Sequence, residues 1–433
     1  MSAPFPLPND LAGWLKHIEA LHPKSIAMGL DRINKVRYRL NLNPAFPLII
    51  VGGTNGKGSA CAMLERIYHE AGYRVACYTS PHLLRYNERV RVACQEASDE
   101  ALSAAFSAVE AARHSAEQQP ISLTYFEFGT LAAMWHFMQT DVDVAILEVG
   151  LGGRLDAVNI FDPTCAIVTS IDLDHMEFLG YSRESIGYEK AGIFRAGVPA
   201  ICGDPNPPDA LVDHAANVGA DFKQIQRDFG FTSQGDHWLY QGVSTEIPEL
   251  PLPALTGGFQ LYNAACVMAA IEALQARLPV TVEQVAVGLH AVRLLGRFQH
   301  CSSAPEVILD VAHNPHAATA LAHNLRQLPG RGRTLAVFAM LADKDIAGII
   351  DVLNSEIDVW YLADIQHARG ATAQQLARLI HQAVPDCKVH MHTDVSLAYR
   401  QACLDASDND RIIVFGSFFT VADVMRLTSA SLQ

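Results

Sequence analysis

The segment I-I-V-G-G-T-N-G-K-G-S, residues 49–59, constrains the fold more than any other part of the chain. Its three β-branched apolar residues predict a buried strand, its glycines predict a tight turn, and Lys57 stands where a helix is expected to begin. The backbone N–H groups of such a turn, with the positive end of the helix, can bind phosphate oxygens. A strand that leads through a glycine-rich turn into a helix is typical of an α/β fold with a parallel sheet.

The spacing of this turn differs from the usual G-x-x-x-x-G-K-[ST] phosphate loop. Val51 occupies the first glycine position, and Gly58 separates Lys57 from Ser59. A plain glycine-rich turn is the alternative, but a lysine at the end of the turn favours a nucleotide site. Lys57 is expected to reach the β- and γ-phosphates, and Ser59 either caps the helix or helps to hold a metal ion.

The length and the alternation of apolar runs predict two domains. The chain has 433 residues, more than the roughly 250–300 at which one hydrophobic core stops growing. Apolar runs predict strands at residues 46–51, 74–78, 142–149, 165–171 and 198–202, and later at 306–311, 334–340, 359–365, 388–392 and 411–415. Helical patterns occupy residues 59–71, 126–138 and 263–278, with an opening helix around residues 11–21. Residues 204–253, rich in proline and glycine, predict irregular or antiparallel elements.

The predicted fold class is therefore α/β. The N-terminal domain, residues 1–298, carries the phosphate loop on a mainly parallel sheet, and residues 299–433 form a smaller Rossmann-like α/β domain. The boundary is expected near Gly296–Ser303, between the two series of strands.

Charge and cysteine usage restrict the partners and the compartment. A formal net charge of -14 disfavours nucleic-acid binding, which usually needs a basic surface. The nine cysteines form no C-x-x-C pair, so we expect free thiols in a reducing, cytoplasmic compartment. The sequence shows no signal peptide and no uncharged apolar run of the roughly 18–20 residues that span a bilayer, so no membrane partner is expected.

Polar side chains follow three of the predicted parallel strands. Glu148 ends the strand of residues 142–149, Asp172, Asp174 and His175 follow the next, and Ser80 lies in Y-T-S-P-H-L. Because the carboxyl ends of parallel strands meet at one edge of a sheet, these side chains could share a Mg²⁺ site. Each has another interpretation: Glu148 as an ion-paired strand end, His175 as a capping or core residue, and Ser80 as the start of a Ser-Pro turn. Lys190, in Y-E-K-A-G-I, looks like an ordinary surface lysine of a helix.

Eight ordered motifs together resemble a known family. They are G-T-N-G-K-G-S, T-S-P-H-L, L-T-Y-F-E, L-E-V-G-L-G-G-R-L-D, D-H-M-E-F-L-G, E-K-A-G-I-F, L-G-R-F-Q and D-V-A-H-N-P-H-A. The chain resembles the bacterial bifunctional dihydrofolate synthase/folylpolyglutamate synthase family of the Mur ligase superfamily, from about residue 12 to residue 424. The resemblance implies a monomeric ligase that uses ATP and Mg²⁺, expected as two ions, to join L-glutamate to dihydropteroate and to reduced folates through an acyl phosphate.

The resemblance also implies residue roles. Implied ATP-binding residues are Thr54, Asn55, Gly56, Lys57, Gly58, Asn263, Arg297 and Asp310, with His313 beside them. Implied Mg²⁺ ligands are Ser80, Glu148 and His175, and Lys190 matches a lysine that is carbamylated in the family. Implied dihydropteroate-binding residues are Met28, Gly29, Thr124, Tyr125, Phe126, Glu127, Leu155 and Asp156. His313 or Asp310 could take the proton of the incoming amine or orient ATP, and the sequence leaves both roles open.

Three other interpretations are weaker. A GTPase would carry N-K-x-D, whereas residues 34–37 read N-K-V-R and precede the loop. A cell-wall ligase of the same superfamily would begin with a UDP-binding domain, for which the 45 or so residues before the loop are too few. A dehydrogenase would need a glycine-rich dinucleotide turn, which D-V-A-H-N-P at residues 310–315 does not supply.

Overall fold

The computed structural model describes residues 7–24, 26–114, 119–329 and 332–430. Two compact units divide the chain. The first comprises Met1–Pro253 and Tyr262–Val292, and the second comprises Ala254–Leu261 and Arg293–Gln433. The domain boundary at residues 298 and 299 stays a prediction.

The first unit is built on an eight-stranded sheet. Its strands are β1 (Leu48–Gly52), β2 (Val75–Tyr78), β3 (Val90–Val92), β4 (Gln95–Glu96), β5 (Val144–Glu148), β6 (Cys165–Val168), β7 (Pro199–Cys202) and β8 (Asp221–Gln224). They lie in the order β4-β3-β2-β5-β1-β6-β7-β8. The strands β2, β5, β1, β6, β7 and β8 run parallel to one another. At the edge beside β2, β3 and β4 continue the sheet as antiparallel strands. β1 therefore lies in the middle of the sheet, where every residue of the strand is buried.

Helices and a small second sheet complete this unit. The helices are α1 (Leu11–Ala20), α2 (Asp31–Arg39), α3 (Lys57–Glu70), α4 (Asp99–Arg113), α5 (Tyr125–Met138), α6 (Met176–Leu179), α7 (Arg183–Ala191), α8 (Asp209–Val218), α9 (Phe259–Leu274) and α10 (Val282–Ala291), with 3-10 turns at Tyr86–Arg89 and Ala157–Ile160. The first residues of α9 group with the second unit. The strands β9 (Gly230–Gln234), β10 (His237–Gln241) and β11 (Glu246–Pro251) form an antiparallel sheet in the order β11-β10-β9.

The second unit has its own sheet and core. Its strands are β12 (Gln299–Ser303), β13 (Glu306–Leu309), β14 (Thr334–Phe338), β15 (Val359–Ala363), β16 (Lys388–His392) and β17 (Arg411–Phe415), in the order β12-β13-β17-β14-β15-β16. Only β12 is antiparallel to its neighbour among these described strands. The helices are α11 (Pro315–Gln327), α12 (Ile346–Leu353), α13 (Ala373–Ala383), α14 (Val395–Asp405) and α15 (Phe418–Ala430), with a 3-10 turn at Asn354–Glu356.

The α/β class and the mainly parallel sheets confirm the sequence prediction, with differences in detail. Five of the ten predicted strands end one to three residues beyond the observed strand, four end at the observed residue, and one ends a residue early. The prediction for residues 204–253 was incomplete, because the region contains α8 in addition to the antiparallel sheet. All nine cysteines, each within the described residues, are free. Within the described ranges, no helix combines the length and the apolarity needed to cross a membrane.

Candidate active site

The glycine-rich turn after β1 requires glycine at two positions. Gly53 and Gly56 have φ angles of +141° and +88°, a region that residues with a side chain rarely adopt. A Cβ on Gly53 would overlap Thr169, and a Cβ on Gly56 would overlap the Asn263 amide. Gly56 is the N-cap residue of α3, so the interpretation of Ser59 as the cap was wrong. The backbone can therefore take the close-fitting shape that phosphate binding needs.

The segment after β6 fixes the shape of this turn through hydrogen bonds. The N–H group of Thr54 donates to the Ser170 carbonyl at 2.8 Å. The Thr54 hydroxyl donates to the Asp172 carbonyl and accepts the Asp172 N–H, both at 3.0 Å. The hydroxyls of Thr169 and Ser170 donate to the Asn55 carbonyl at 2.6 and 3.1 Å. The turn is thus held by β1, from which it continues, and by the segment that follows the neighbouring strand β6.

Lys57 is the first residue of α3, and its side chain folds back over the glycine-rich turn. Its ammonium group donates to the carbonyls of Gly53 at 3.0 Å and Thr54 at 3.2 Å. Its charge also acts on Lys190, whose pKa is lowered to about 7 by burial and then by the field of Lys57. The structure therefore brings Lys57 and Lys190, two predicted site residues, into one electrostatic environment.

Glu148 and Ser80 lie side by side at the carboxyl edge of the sheet. Glu148 ends β5, is buried, and its Oε2 accepts the backbone N–H of Ser80 at 3.0 Å. In the strand register it pairs with Val51, so its carboxylate lies beside the start of the phosphate turn. A carboxylate and a hydroxyl are oxygen ligands that suit Mg²⁺, and the pair therefore fits a site for this ion.

His175, the third predicted ligand, occupies an unusual backbone conformation. Its φ and ψ angles are +49° and +39°, and it is the N-cap residue of the short helix α6. Its N–H donates to Asp174 Oδ1 at 2.8 Å. A left-handed residue other than glycine is often found at a functional site. Among the described residues, no three His, Cys, Asp or Glu side chains are grouped so that they could hold a metal ion. The predicted ligand set is not such a group, because only Glu148 and His175 are of these types and the third member is Ser80.

Lys190 is buried, so its interpretation as a surface lysine was wrong. Only 3% of the residue is exposed. The reason lies in the glycine-rich segment after β5, which packs against the end of α7. The Arg154 N–H donates to the Glu189 carbonyl at 2.7 Å, and a Cβ on Gly153 would lie 2.8 Å from that oxygen. Because Gly153 has no side chain, the two segments approach closely enough to exclude solvent from Lys190.

The N-terminus of α5 carries four of the predicted substrate-binding residues. Thr124 and Glu127 form its capping box, and Tyr125 is its first residue. The buried Glu127 carboxylate accepts the Thr124 N–H and the Arg32 Nε, both at 2.8 Å. Its other oxygen, Oε1, has no hydrogen-bond partner in the described part of the chain. A buried acceptor of this kind suits a donor supplied by a ligand.

Phe126 and Met28 contact glycines of the segment after β5. The Phe126 ring would lie 2.7 Å from a Cβ on Gly150, and it stacks on Tyr78 with ring centroids 5.8 Å apart. The methyl group of Met28 would lie 3.9 Å from a Cβ on Gly152. Gly29, which follows Met28, has a φ angle of +133°. The three predicted substrate segments therefore meet around this loop.

Asp156 holds the segment after β5 in shape through hydrogen bonds to its backbone. Its carboxylate accepts the N–H of Leu151 at 2.8 Å and that of Val158 at 3.0 Å. Burial raises the pKa of Asp156 to about 7 despite these hydrogen bonds. The side chain therefore shapes the loop, and direct substrate contact by Asp156 or its half-buried neighbour Leu155 stays a prediction.

In the second unit, Asp310 follows β13 and is held by the backbone. Its two oxygens accept the N–H groups of Phe298 and Ala312, each at 2.8 Å. Burial raises the pKa of Asp310, and the positive charge of Arg297 acts in the opposite direction. Asp310 thus fixes the segment that carries Arg297.

Phe418, which was not predicted from the sequence, contacts both Arg297 and His313. The Arg297 guanidinium carbon lies 5.3 Å from the centroid of the Phe418 ring, and the His313 ring lies 6.1 Å from it. His313 Nδ1 is 2.9 Å from the Val311 carbonyl; because a carbonyl only accepts, this nitrogen carries the proton. The signal was the aromatic pair that follows G-S after the last strand. Asn314 caps α11 with Pro315 in its first turn, as predicted.

Two family models match most of the chain. Residues 51–271 match the Mur ligase middle domain, and residues 296–418 match the Mur ligase glutamate ligase domain. Dihydrofolate synthase/folylpolyglutamate synthase of Escherichia coli strain K12 is 46% identical over 423 residues, covering 98% of this chain and 96% of that protein. The chain belongs to the dihydrofolate synthase/folylpolyglutamate synthase family of Mur ligases.

Solved structures of this family have the same fold. The E. coli FolC structure in complex with DHPP and ADP has a TM-score of 0.93 and 45% identity, covering 98% of this chain and 99% of that one. A bifunctional folylpolyglutamate synthase/dihydrofolate synthase with Mn, AMPPNP and L-glutamate bound has a TM-score of 0.89 and 45% identity, covering 98% of this chain and 100% of that one. Family membership and fold are thus established by both sequence and structure.

Proposed function

We propose that the protein joins L-glutamate to dihydropteroate and to reduced folates at the expense of ATP, as a dihydrofolate synthase and folylpolyglutamate synthase. One observation of the site carries the proposal: the phosphate turn after β1 lies beside the buried carboxylate that ends β5, since Val51 pairs with Glu148. Relatives with these names, and related structures with ADP, AMPPNP and L-glutamate bound, support it.

The reaction must first activate a carboxylate. The acyl substrate's carboxylate attacks the γ-phosphorus of ATP, which gives an acyl phosphate and ADP. The amino group of glutamate then attacks the acyl carbon, and phosphate leaves as the amide forms. Lys57 neutralises charge on the transferring phosphoryl group, the main demand of such a step. Thr54, Asn55, Gly56, Gly58 and Ser59 hold the phosphates, and Asn263 borders them at Gly56.

Divalent cation use is part of this proposal. Ser80, Glu148 and His175 would hold Mg²⁺, which when bound neutralises phosphate charge. Lys190 is proposed to be carbamylated: its neutral amine attacks CO₂ and loses a proton, which turns a cation into an oxygen ligand. A pKa of about 7 keeps much of this amine neutral near physiological pH. The presence of two Mg²⁺ ions, a monomeric state and a cytoplasmic location stay predictions.

Arg297, Asp310 and His313 all lie in the second unit. Both Asp310 oxygens already accept backbone N–H groups, so Asp310 is better suited to orienting Arg297 for ATP than to taking a proton. With its proton on Nδ1, neutral His313 has a basic Nε2. We therefore favour His313 as the group that accepts the proton of the incoming amine.

The test is phosphate release from ATP with dihydropteroate and L-glutamate supplied singly and together. We expect release only when both are present, and we expect Lys57→Ala and Glu148→Ala to abolish it with an unchanged melting temperature. Near-normal release by either variant would contradict its role. Release stimulated by a UDP-linked sugar peptide precursor would instead indicate the cell-wall branch of the superfamily.

A further inference from the structure

Arg89 is held in an unusual way beside the proposed acyl-substrate site. It ends the 3-10 turn Tyr86–Arg89 and is half buried. Its guanidinium carbon lies 5.4 Å from the ring centroid of Tyr86 and 5.5 Å from that of Tyr125. Its Nε donates to His82 Nδ1 at 2.8 Å. Two aromatic faces and a histidine therefore fix the orientation of this cation.

The contacts of Arg89 include no carboxylate in the described part of the chain, and its terminal Nη groups donate no hydrogen bond there. The adjacent carboxylate of Glu88 instead accepts the backbone N–H groups of residues 83–85, at 2.6 to 2.7 Å. Arg91, two residues further on, differs: its Nη2 and Nε lie 2.7 and 3.0 Å from the Glu65 carboxylate. A half-buried guanidinium fork without an anion suits a planar anionic ligand.

The position of Arg89 indicates which ligand its guanidinium group would bind. The Arg89 carbonyl accepts the N–H of Thr79 at 2.9 Å, which places it next to Ser80 and hence to Glu148. The Arg89 guanidinium also faces the ring of Tyr125, the first residue of α5. Arg89 is thus adjacent both to the segment proposed to bind the pterin substrate and to the strand end that carries Ser80.

We infer that the guanidinium fork of Arg89 binds a carboxylate of the acyl substrate. The inference rests on the proposed function and names a substrate contact beyond the residues assigned above. The acyl substrate is favoured over the other two substrates because Tyr125, and not the phosphate turn, forms one face of the Arg89 site. A bidentate pair of this kind both orients the substrate and attracts its charge.

The test compares an acid with its ester. Dissociation constants of pteroate and pteroate methyl ester are measured by calorimetry without ATP or metal, for the wild type and for Arg89→Gln and Arg89→Lys. The wild type is expected to prefer the acid roughly ten- to a hundredfold, as expected for a charge-assisted pair. Arg89→Gln is expected to reduce this ratio to near one, and Arg89→Lys to an intermediate value, because lysine keeps the charge but not the fork.

The matched control is Arg85→Gln, since the Arg85 side chain is 68% exposed and pairs with Glu96; it should leave the ratio unchanged. An equal loss of affinity for acid and ester in Arg89→Gln would mean that Arg89 only supports Tyr125, and would overturn the inference. An unchanged ratio would do the same. If Arg89→Gln fails to fold, Arg89→Lys alone decides, with an unreduced ratio counting against the inference. Failure of the wild type to bind either ligand would refute the proposed function as well.

Discussion

The buried amine of Lys190 leads to a quantitative prediction about CO₂. Its pKa of about 7 leaves about three quarters of the amine neutral at pH 7.5, whereas an exposed lysine near 10.5 would be about one part in a thousand neutral. The neutral fraction, which is the form that reacts with CO₂, is therefore roughly 700-fold larger than for an exposed lysine. Because the pKa is lowered, neutral amine is lost as the pH falls, to about a tenth at pH 6.

Carbamylation is measured by NMR after equilibration with carbon-13-labelled bicarbonate. We expect one carbamate signal in the wild type, weaker at pH 6 than at pH 7.5, and none in Lys190→Gln. Lys388→Gln, which changes an exposed lysine of β16, should keep the signal. Turnover should fall when CO₂ is removed from the buffers and return when bicarbonate is added.

Two results would refute this reasoning. A wild-type spectrum without a carbamate signal at pH 7.5, together with turnover that does not respond to CO₂, would mean that Lys190 acts as an amine. A signal that persists in Lys190→Gln would place the modification on another residue.

Two further predictions concern glycine and aromatic positions. Gly56→Ala should lower the free energy of unfolding by about 1–2 kcal/mol through backbone strain and should also raise the KM for ATP. Gly72→Ala, at a φ of +89° in open space, should show the loss of stability alone. Equal KM values for ATP in the two variants would contradict this role of Gly56. Phe418→Leu should lower kcat/KM for ATP roughly two- to thirtyfold by removing the ring beneath Arg297, and Phe418→Tyr should restore it. Phe419→Leu, which changes a 44% exposed neighbour, should have no effect; equal losses in both leucine variants would refute the role of Phe418.

The sequence predicted strands well because burial and β-branching coincide in the centre of a parallel sheet. It placed strand ends less well, since apolar character reports burial and not ladder hydrogen bonds. Ile171 is 2% exposed yet lies beyond the end of β6, so the predicted strand was too long. α8 had a usable signal, Leu211 and Ala215 buried four residues apart, but the prolines of the region obscured it.

For the site, strand-end residues were predictable because parallel strands bring their carboxyl ends together. The burial of Lys190 was not predictable from its own surroundings, because it depends on a glycine loop more than 30 positions earlier in the chain; the family resemblance alone pointed to this lysine. Phe418 and Arg89 were missed for a related reason: each contacts a cation or a ring from a distant segment, and no local spacing records such a contact.

The pair of hydrogen bonds between Thr54 and Asp172 has a thermodynamic consequence. A ligand that shifts the turn after β1 is expected to shift the segment that leads to His175 as well, because the Thr54 hydroxyl is bonded to both the N–H and the carbonyl of Asp172. Occupancy at one end then changes affinity at the other, and this coupling is reciprocal. Nucleotide should therefore change the affinity for a divalent ion by the same factor as the ion changes the affinity for nucleotide.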